Sequence, residues 1–308
     1  MHAPSSDTPL PGHIPVLVTP IMDLFAPQPG LTMLDATVGR GGHAAAIIPR
    51  LGPGGTYIGL DMDAGNADFA RQRVQPIADQ VGVELKIIHA NFAGARATLD
   101  QLGIDAVDLV LADLGFASTQ MDDPQRGLSF QASGPLDMRL DPSLGQTAAD
   151  LVNTLAERDL ADIIFQLGEE RYSRRIAKRI VDQRPLVTTD QLADICRAAY
   201  GPTARRSPIH PATRTFMALR IAVNGELMAL DALLADLPRL LAPGARAGII
   251  SFHSLEDRRV KHTFRDWKSA GRCAVLTKKP VEADPEEAAI NPRARSAKLR
   301  VMRWGETI

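Results

Sequence analysis

The chain has 308 residues, 45% of them hydrophobic and 23% charged, with a formal net charge of −1. These are the values of a folded globular protein; they exclude disordered and collagenous compositions, and the neutral balance removes the global pull of a strongly basic nucleic-acid-binding domain. The two cysteines, Cys196 and Cys273, form no Cys-x-x-Cys pair, which argues against a disulfide framework or a cysteine metal site and fits a reducing cytoplasm.

Residues 1–12 contain neither the basic nor the apolar segment of a signal peptide and read as a disordered N-terminus, and no run of about 18 apolar residues predicts a membrane span. Four short apolar runs follow, TMLDAT, TYIGLDMD, VELKIIHANF and VDLVLADLG, each closing on polar or glycine-rich turns. With the helical segments AAAIIPRL and NADFARQRVQPIAD between them, they predict a parallel sheet with helical crossovers, a doubly wound α/β fold. The next strand, RAGIISFHS, starts only near Arg246, and 138 positions separate Asp113 from Ser251. A strand–helix–strand unit needs roughly 30 residues or a little more, so the excess predicts an inserted helical domain of about one hundred residues. Its helices are AADLVNTLAERDLADIIFQLG, EERYSRRIAKRIVDQR and TTDQLADICRAAYG, and one long amphipathic helix, FMALRIAVNGELMALDALLADLPRLL, leads to a turn at Ala242-Pro243-Gly244. A charged helix LEDRRVKHTFRDWK, a strand AVLTKK, an acidic loop at Glu282 to Glu287 and the run KLRVMRW complete the chain.

The run from Asp35 to His43, DATVGRGGH, follows a strand and opens a helix. Its glycines allow the backbone to approach a ligand, and the helix start offers free N–H groups to a negative one. Gly39 to Ala44 also fit a dinucleotide fingerprint, with Asp61 22 positions after Gly39 to bind a ribose diol. Asp35 favours the other nucleoside cofactor, S-adenosylmethionine, because a carboxylate there suits an ammonium and repels a pyrophosphate. Asp61 is the ribose ligand in either case, and Asp63 the cap of the following helix. Phe92, after the third strand, could lie against an adenine or belong to the core. Asp113, closing the fourth strand, projects into the crevice outside the strand ends and is the candidate acceptor for a substrate amine. Neither cysteine sits where a thiolate would attack a pyrimidine ring, which counts against methylation of carbon 5; nitrogen methylation needs no covalent enzyme intermediate, only an amine held in line with the methyl group. The seven histidines show no His-x-x-x-His spacing, so no catalytic metal is predicted. Three basic clusters are the local nucleic-acid signal: Arg171 to Arg184; Arg205, Arg206, His210 and Arg214; and Arg293, Arg295, Lys298, Arg300 and Arg303. A solvated helix face explains such clusters equally well. His253, just past the fifth strand, is a weaker candidate for a target contact.

Seven runs in order, His13-Ile14-Pro15-Val16-Leu17, Asp35 to His43, Asp113 to Asp122, Gly134 to Arg139, His210 to Phe216, Ser251 to Arg258 and Asn291 to Ser296, resemble the bacterial small-subunit ribosomal RNA methyltransferase H family, also called MraW. The resemblance spans nearly the whole chain. It implies a class I methyltransferase fold with an inserted helical domain: residues 13–118 and 213–308 bind S-adenosylmethionine, and 119–212 recognise the substrate. It further implies N4-methylation of a cytidine in the decoding region of 16S ribosomal RNA, within the small ribosomal subunit, by a cytoplasmic enzyme without membrane contact; a homodimer stays open. By motif position it implies cofactor contacts from Gly41, Gly42, His43, Asp61, Phe92, Asp113 and Gln120. Ala117 and Thr119 stand where the family usually has serine and proline. A nicotinamide-dependent oxidoreductase, a non-catalytic RNA-binding assembly factor, and a methyltransferase of DNA amines or small molecules are the rival readings.

Overall fold

A computed structural model describes residues 15–305, except the side chains of 118 and 119. The disordered terminus expected for 1–12, the His13-Ile14 part of the first motif and the Thr119 side chain lie outside that description. The helices are α1 (Val18–Phe25), α2 (Gly42–Leu51), α3 (Ala64–Val81), α4 (Ala95–Gln101), α5 (Ser118–Asp122), α6 (Ala148–Thr154), α7 (Glu157–Gly168), α8 (Ser173–Asp182), α9 (Thr189–Tyr200), α10 (Thr213–Asn224), α11 (Glu226–Leu240), α12 (Ser254–Ser269) and α13 (Pro285–Ile290). The strands are β1 (Thr32–Asp35), β2 (Thr56–Asp61), β3 (Glu84–His89), β4 (Val107–Asp113), β5 (Leu241–Ser251), β6 (Cys273–Val275) and β7 (Lys298–Trp304).

These strands form one sheet in the order β3-β2-β1-β4-β5-β7-β6. Pairings from β3 through β5 are parallel, and β7 enters antiparallel between β5 and β6. Successive residues on a strand face opposite ways. Met33, Tyr57, Leu109, Leu111 and Val301 therefore pack into a core with α1, α2 and α3. Their neighbours Leu34, Ile58, Val110, Ala112 and Met302 pack into a second core with α4, α11 and α12. Both faces are covered, which is why these strands read as continuous apolar runs rather than alternating ones. The doubly wound α/β architecture predicted from the alternation is present. A third core is built by α6 to α9 and the segment before them, and it takes Phe216 and Leu219 from α10.

Four elements differ from expectation. The single long helix before β5 is two helices, because Gly225 stands at φ +60 in the left-handed region and ends α10 before α11 starts. The first insert helix is likewise divided between α6 and α7 by Leu155 and Ala156, both extended. β5 starts at Leu241 rather than Arg246; the Pro243-Gly244 turn is a bulge inside it, since β4 pairs Val107 with Leu241 and then Leu109 with Arg246. The acidic loop is partly helical, with Asp284 accepting from the Glu287 N–H as the cap of α13. No helix among the described residues is long and apolar enough to cross a membrane.

Candidate active site

The chain moves outward from β1 to β3 and returns to β4 on the other side of β1, so the loops leaving β1 and β4 diverge. Such a reversal opens the crevice where α/β sheets of this kind bind ligands. A cavity of about 280 Å³ lies there. Six of the seven residues predicted to hold a cofactor line it: Gly42, His43, Asp61, Phe92, Asp113 and Gln120. Gly41 does not. Its N–H donates to the Val38 carbonyl, and a Cβ there would meet Val74 Cγ1 at 3.1 Å, so Gly41 lets α2 pack on α3. A Cβ at Gly42 would meet the Pro15 ring at 3.1 Å, which places the N-terminal segment directly over the loop.

Asp35 is a correction. It is 1% exposed; Oδ2 accepts from the Tyr57 hydroxyl at 2.5 Å and Oδ1 from the Thr37 N–H at 3.0 Å, and it is absent from the cavity wall. Its carboxylate organises the loop from inside and is not available to a ligand ammonium. Burial raises its pKa, with Tyr57, His43 and the Thr37 N–H opposing.

Asp61 does face the cavity. Its Oδ2 accepts from Gly39 N–H at 2.9 Å and its Oδ1 from Asp63 N–H at 2.8 Å, so the chain fixes the carboxylate while each oxygen keeps a lone pair for a ligand hydroxyl. Asp63 caps α3 through the N–H groups of Gly65 and Asn66, as predicted, and also accepts from Arg126 and Gln120. Gln120 joins two segments: Oε1 accepts from Ala117 N–H at 2.8 Å and Nε2 donates to Asp63 at 2.9 Å. Phe92 starts a short turn capped by Asn91 and is only half-buried, partly in the second core and partly in the cavity wall.

Asp113 is held by its backbone, whose N–H donates to Thr37 Oγ1 at 2.6 Å. Its Oδ1 is buried with no hydrogen-bond partner. A carbonyl can only accept, so the His43 Nε2 that lies 2.8 Å from Val16 O carries the proton; Nδ1 then stands 3.7 Å from Asp113 Oδ2, beyond hydrogen-bond reach. Burial pushes the Asp113 carboxyl up to about 6, His43 opposing and Asp35 and Glu256 adding. Asp61 is pushed up to about 6 by burial too, against the N–H groups of Asp63 and Gly39. Two perturbed carboxyls in one cleft are a mark of a functional site.

A second polar group on the same wall was not legible as a unit. Arg220 forms a bidentate pair with Glu226, at 2.7 and 2.8 Å, and its guanidinium lies 4.7 Å from the Phe116 ring centroid. Read as one helix, positions six apart fall on different faces; the break at Gly225 brings them together. Glu256 Oε2 accepts from the Phe252 and His253 N–H groups, and its Oε1 is 3.3 Å from His253 Nε2. Burial opposes ionisation of Glu256, but His253, the Phe252 N–H and Arg220 together hold its carboxyl below the usual range. Glu226, His253 and Glu256 bring ligand atoms within 4.8 Å of one another, a spacing that would admit a metal ion; Arg220 already occupies both oxygens of Glu226.

The basic clusters divide. Arg174, Arg175 and Lys178 are exposed on α8, over the buried Ile176 and Ile180. Arg184 is structural, donating to the Val152 and Leu155 carbonyls. Arg300 is buried and paired with Asp257 at 2.7 and 3.1 Å, so it is removed from any phosphate-contacting set. Arg293 lines the cavity, half-buried, its centre 5.8 Å from the Phe116 ring on which Arg220 also lies.

A model of the MraW methylase family matches residues 11–304. The ribosomal RNA small subunit methyltransferase H of Acidobacterium capsulatum is 48% identical over 290 residues, 94% of this chain and 97% of that protein. Its namesake in Koribacter versatilis is 48% identical over 292 residues, 94% of this chain and 92% of that one. In a Synechocystis species the protein of that name is 46% identical over 297 residues, 96% of this chain and 93% of its own length.

Proposed function

Because the chain belongs to the MraW methylase family, it is a methyltransferase of small-subunit ribosomal RNA, and we propose that it methylates the exocyclic N4 of a cytidine in the decoding region of 16S ribosomal RNA with S-adenosylmethionine as donor. The observation that carries this reading is the pair Asp61 and Asp113, set at the ends of β2 and β4 on either side of β1, both lining one cavity and both pushed up to about 6 by burial. Asp61 suits a ribose diol: two fixed oxygens, each with a free lone pair. The buried, unpartnered Asp113 Oδ1 suits an N–H donor, which an exocyclic amine supplies.

S-adenosylmethionine, when bound, supplies an electrophilic methyl group on a sulfonium. Around it, Asp61 accepts the ribose hydroxyls, Phe92 gives an aromatic wall for the adenine, and Gly42 and His43 at the start of α2 present backbone N–H groups to the carboxylate. Gln120 keeps the wall together by tying the 117–120 turn to Asp63. Asp113, above its raised pKa at neutral pH, accepts an amine N–H and draws the nitrogen lone pair away from the pyrimidine ring. Burial strengthens that contact, so positioning and electrostatics carry the catalysis. The target base leaves its stack to reach the cavity, and the domain between β4 and β5, residues 119–212, with the exposed arginines of α8, holds the surrounding RNA.

The test is methyl transfer from labelled donor to small subunits that lack their own modification, followed by nucleoside analysis, for the wild type and Asp61→Ala. Label as N4-methylcytidine that disappears in the variant supports the reading; label on another atom, or none with cofactor binding intact, overturns the cytidine assignment.

A further inference from the structure

The geometry points to His253 as the catalytic group that takes the proton lost by the target amine, with Glu256 as its positioning partner; this rests on the amine-methylation reading above. β5 is paired to β4 with Ile250 in register with Asp113, so His253 leaves the neighbouring strand end three residues beyond that partner. Both side chains line the same cavity. An exocyclic amino group carries two N–H bonds, and this wall offers two acceptors from adjacent strands, Asp113 and His253.

His253 has the features of a group kept free for a ligand. Its side chain is 10% exposed; Nε2 faces Glu256 Oε1 at 3.3 Å, and the buried Nδ1 has no hydrogen-bond partner. Buried polar atoms are nearly always paired, so an Nδ1 left without a partner in a ring that lines the cavity marks a position with another purpose. Glu256 faces the ring at 3.3 Å, and two backbone N–H groups hold that carboxylate in place. The other charged groups around the ring are the Arg220–Glu226 pair, Asp113 and Arg293. Arg220 and Glu226 cancel, Asp113 and Arg293 carry opposite charges, and Glu256 is the carboxylate in direct contact with the ring of a protonated His253.

In the step itself, the N4 lone pair forms the N–C bond while the C–S electron pair departs with sulfur, leaving a neutral thioether. The methylated nitrogen holds a positive charge and one proton too many. That proton passes to the free ring nitrogen of His253, giving an imidazolium opposite Glu256, and from there to solvent once the product leaves. Because the N4 lone pair is delocalised into the ring, removing the proton as the new bond forms lowers the barrier, a role typically worth about 10²–10⁴ in rate.

Single-turnover transfer to unmodified small subunits, measured against pH for wild type and His253→Ala, tests this. Cofactor affinity is read alongside by calorimetry. Expected are a wild-type rate that rises with pH, a variant rate at least about 100-fold lower that keeps only the rise through about pH 6 set by Asp113, partial recovery with added imidazole, and unchanged cofactor affinity. A variant with wild-type rate, or a slower one with the wild-type pH profile and no imidazole rescue, overturns the proposal while leaving the cytidine assignment standing. Should His253→Ala fail to fold, Glu256→Gln decides by the same profile: an altered pH dependence supports the pair, an unaltered one refutes it. A wild type that labels no amine removes both readings at once.

Discussion

Replacing Asp113 by asparagine keeps the shape of the side chain and removes its charge, which separates folding from function at one atom. Burial lifts the carboxyl from 3.8 to about 6, so between those values the folded chain holds a proton that the unfolded chain has released. The folded pKa is the higher one; stability is therefore fullest below the unfolded value and falls as pH rises through the window up to about 6. Proton affinity differs by roughly two powers of ten, about 3 kcal/mol at ~1.4 kcal/mol per tenfold. Part of this is already spent in acid, so Asp113→Asn should gain about 2 kcal/mol on the wild type between about pH 4.5 and about pH 7.5. At ~2.1 cal/mol/K per residue the chain's unfolding entropy is about 0.65 kcal/mol/K, which turns the gain into about 3 °C of melting temperature. Asp61 shifts in the same direction but is present in both proteins and cancels in the difference. The assay is thermal unfolding by circular dichroism across that pH range, with methyl transfer measured on the same samples. Parallel curves for the two proteins would refute the burial argument, and full activity in the variant would refute the amine-acceptor role.

Arg300→Ala leaves Asp257 without the cation that it pairs with at 2.7 and 3.1 Å, and should cost about 3–5 kcal/mol in urea unfolding; a loss below about 1 kcal/mol would mean the pair is solvated. At Gly134 the constraint is steric, because a Cβ would stand 1.9 Å from the Pro124 carbonyl oxygen, and backbone cannot yield as a side chain does. Gly134→Ala should break the Thr189 N–H bond to the Gly134 carbonyl and raise hydrogen exchange there; unchanged protection would contradict the packing.

The part of the fold legible in the sequence was the part governed by period. Tyr57 and Ile58, or Leu109 and Val110, face opposite cores, and a strand apolar on both faces has few other homes. Elements set by single backbone residues were not legible. A left-handed Gly225 inside an unbroken apolar periodicity looks like a tolerated glycine, and Leu155-Ala156 has no breaker at all. The site divided in the same way. Asp61, Asp113 and the glycine loop lie at strand ends, where topology alone puts them in the crevice, although the spacing of those glycines left a dinucleotide reading open that the family match closes. Asp35 misled because a strand-end acid can turn inward, and the inward partner, Tyr57, lies on another strand. Arg220, Glu226 and Glu256 come from three helices, and only the break at Gly225 sets the first two face to face.

The cavity's wall is drawn from both ends of the described chain. Pro15 packs against the glycine loop at Gly42, Val16, Arg293 and Ser296 line the same cavity, and the Leu17 N–H donates to Glu287 Oε1 at 2.6 Å across 270 positions of sequence. Synthesis proceeds from one end to the other, so a nascent chain already carries the glycine loop, Asp61 and Asp113 long before the segment that closes over them exists. A chain that stops before Glu287 therefore lacks both the Arg293 side of the wall and β7, the strand that joins β6 to β5.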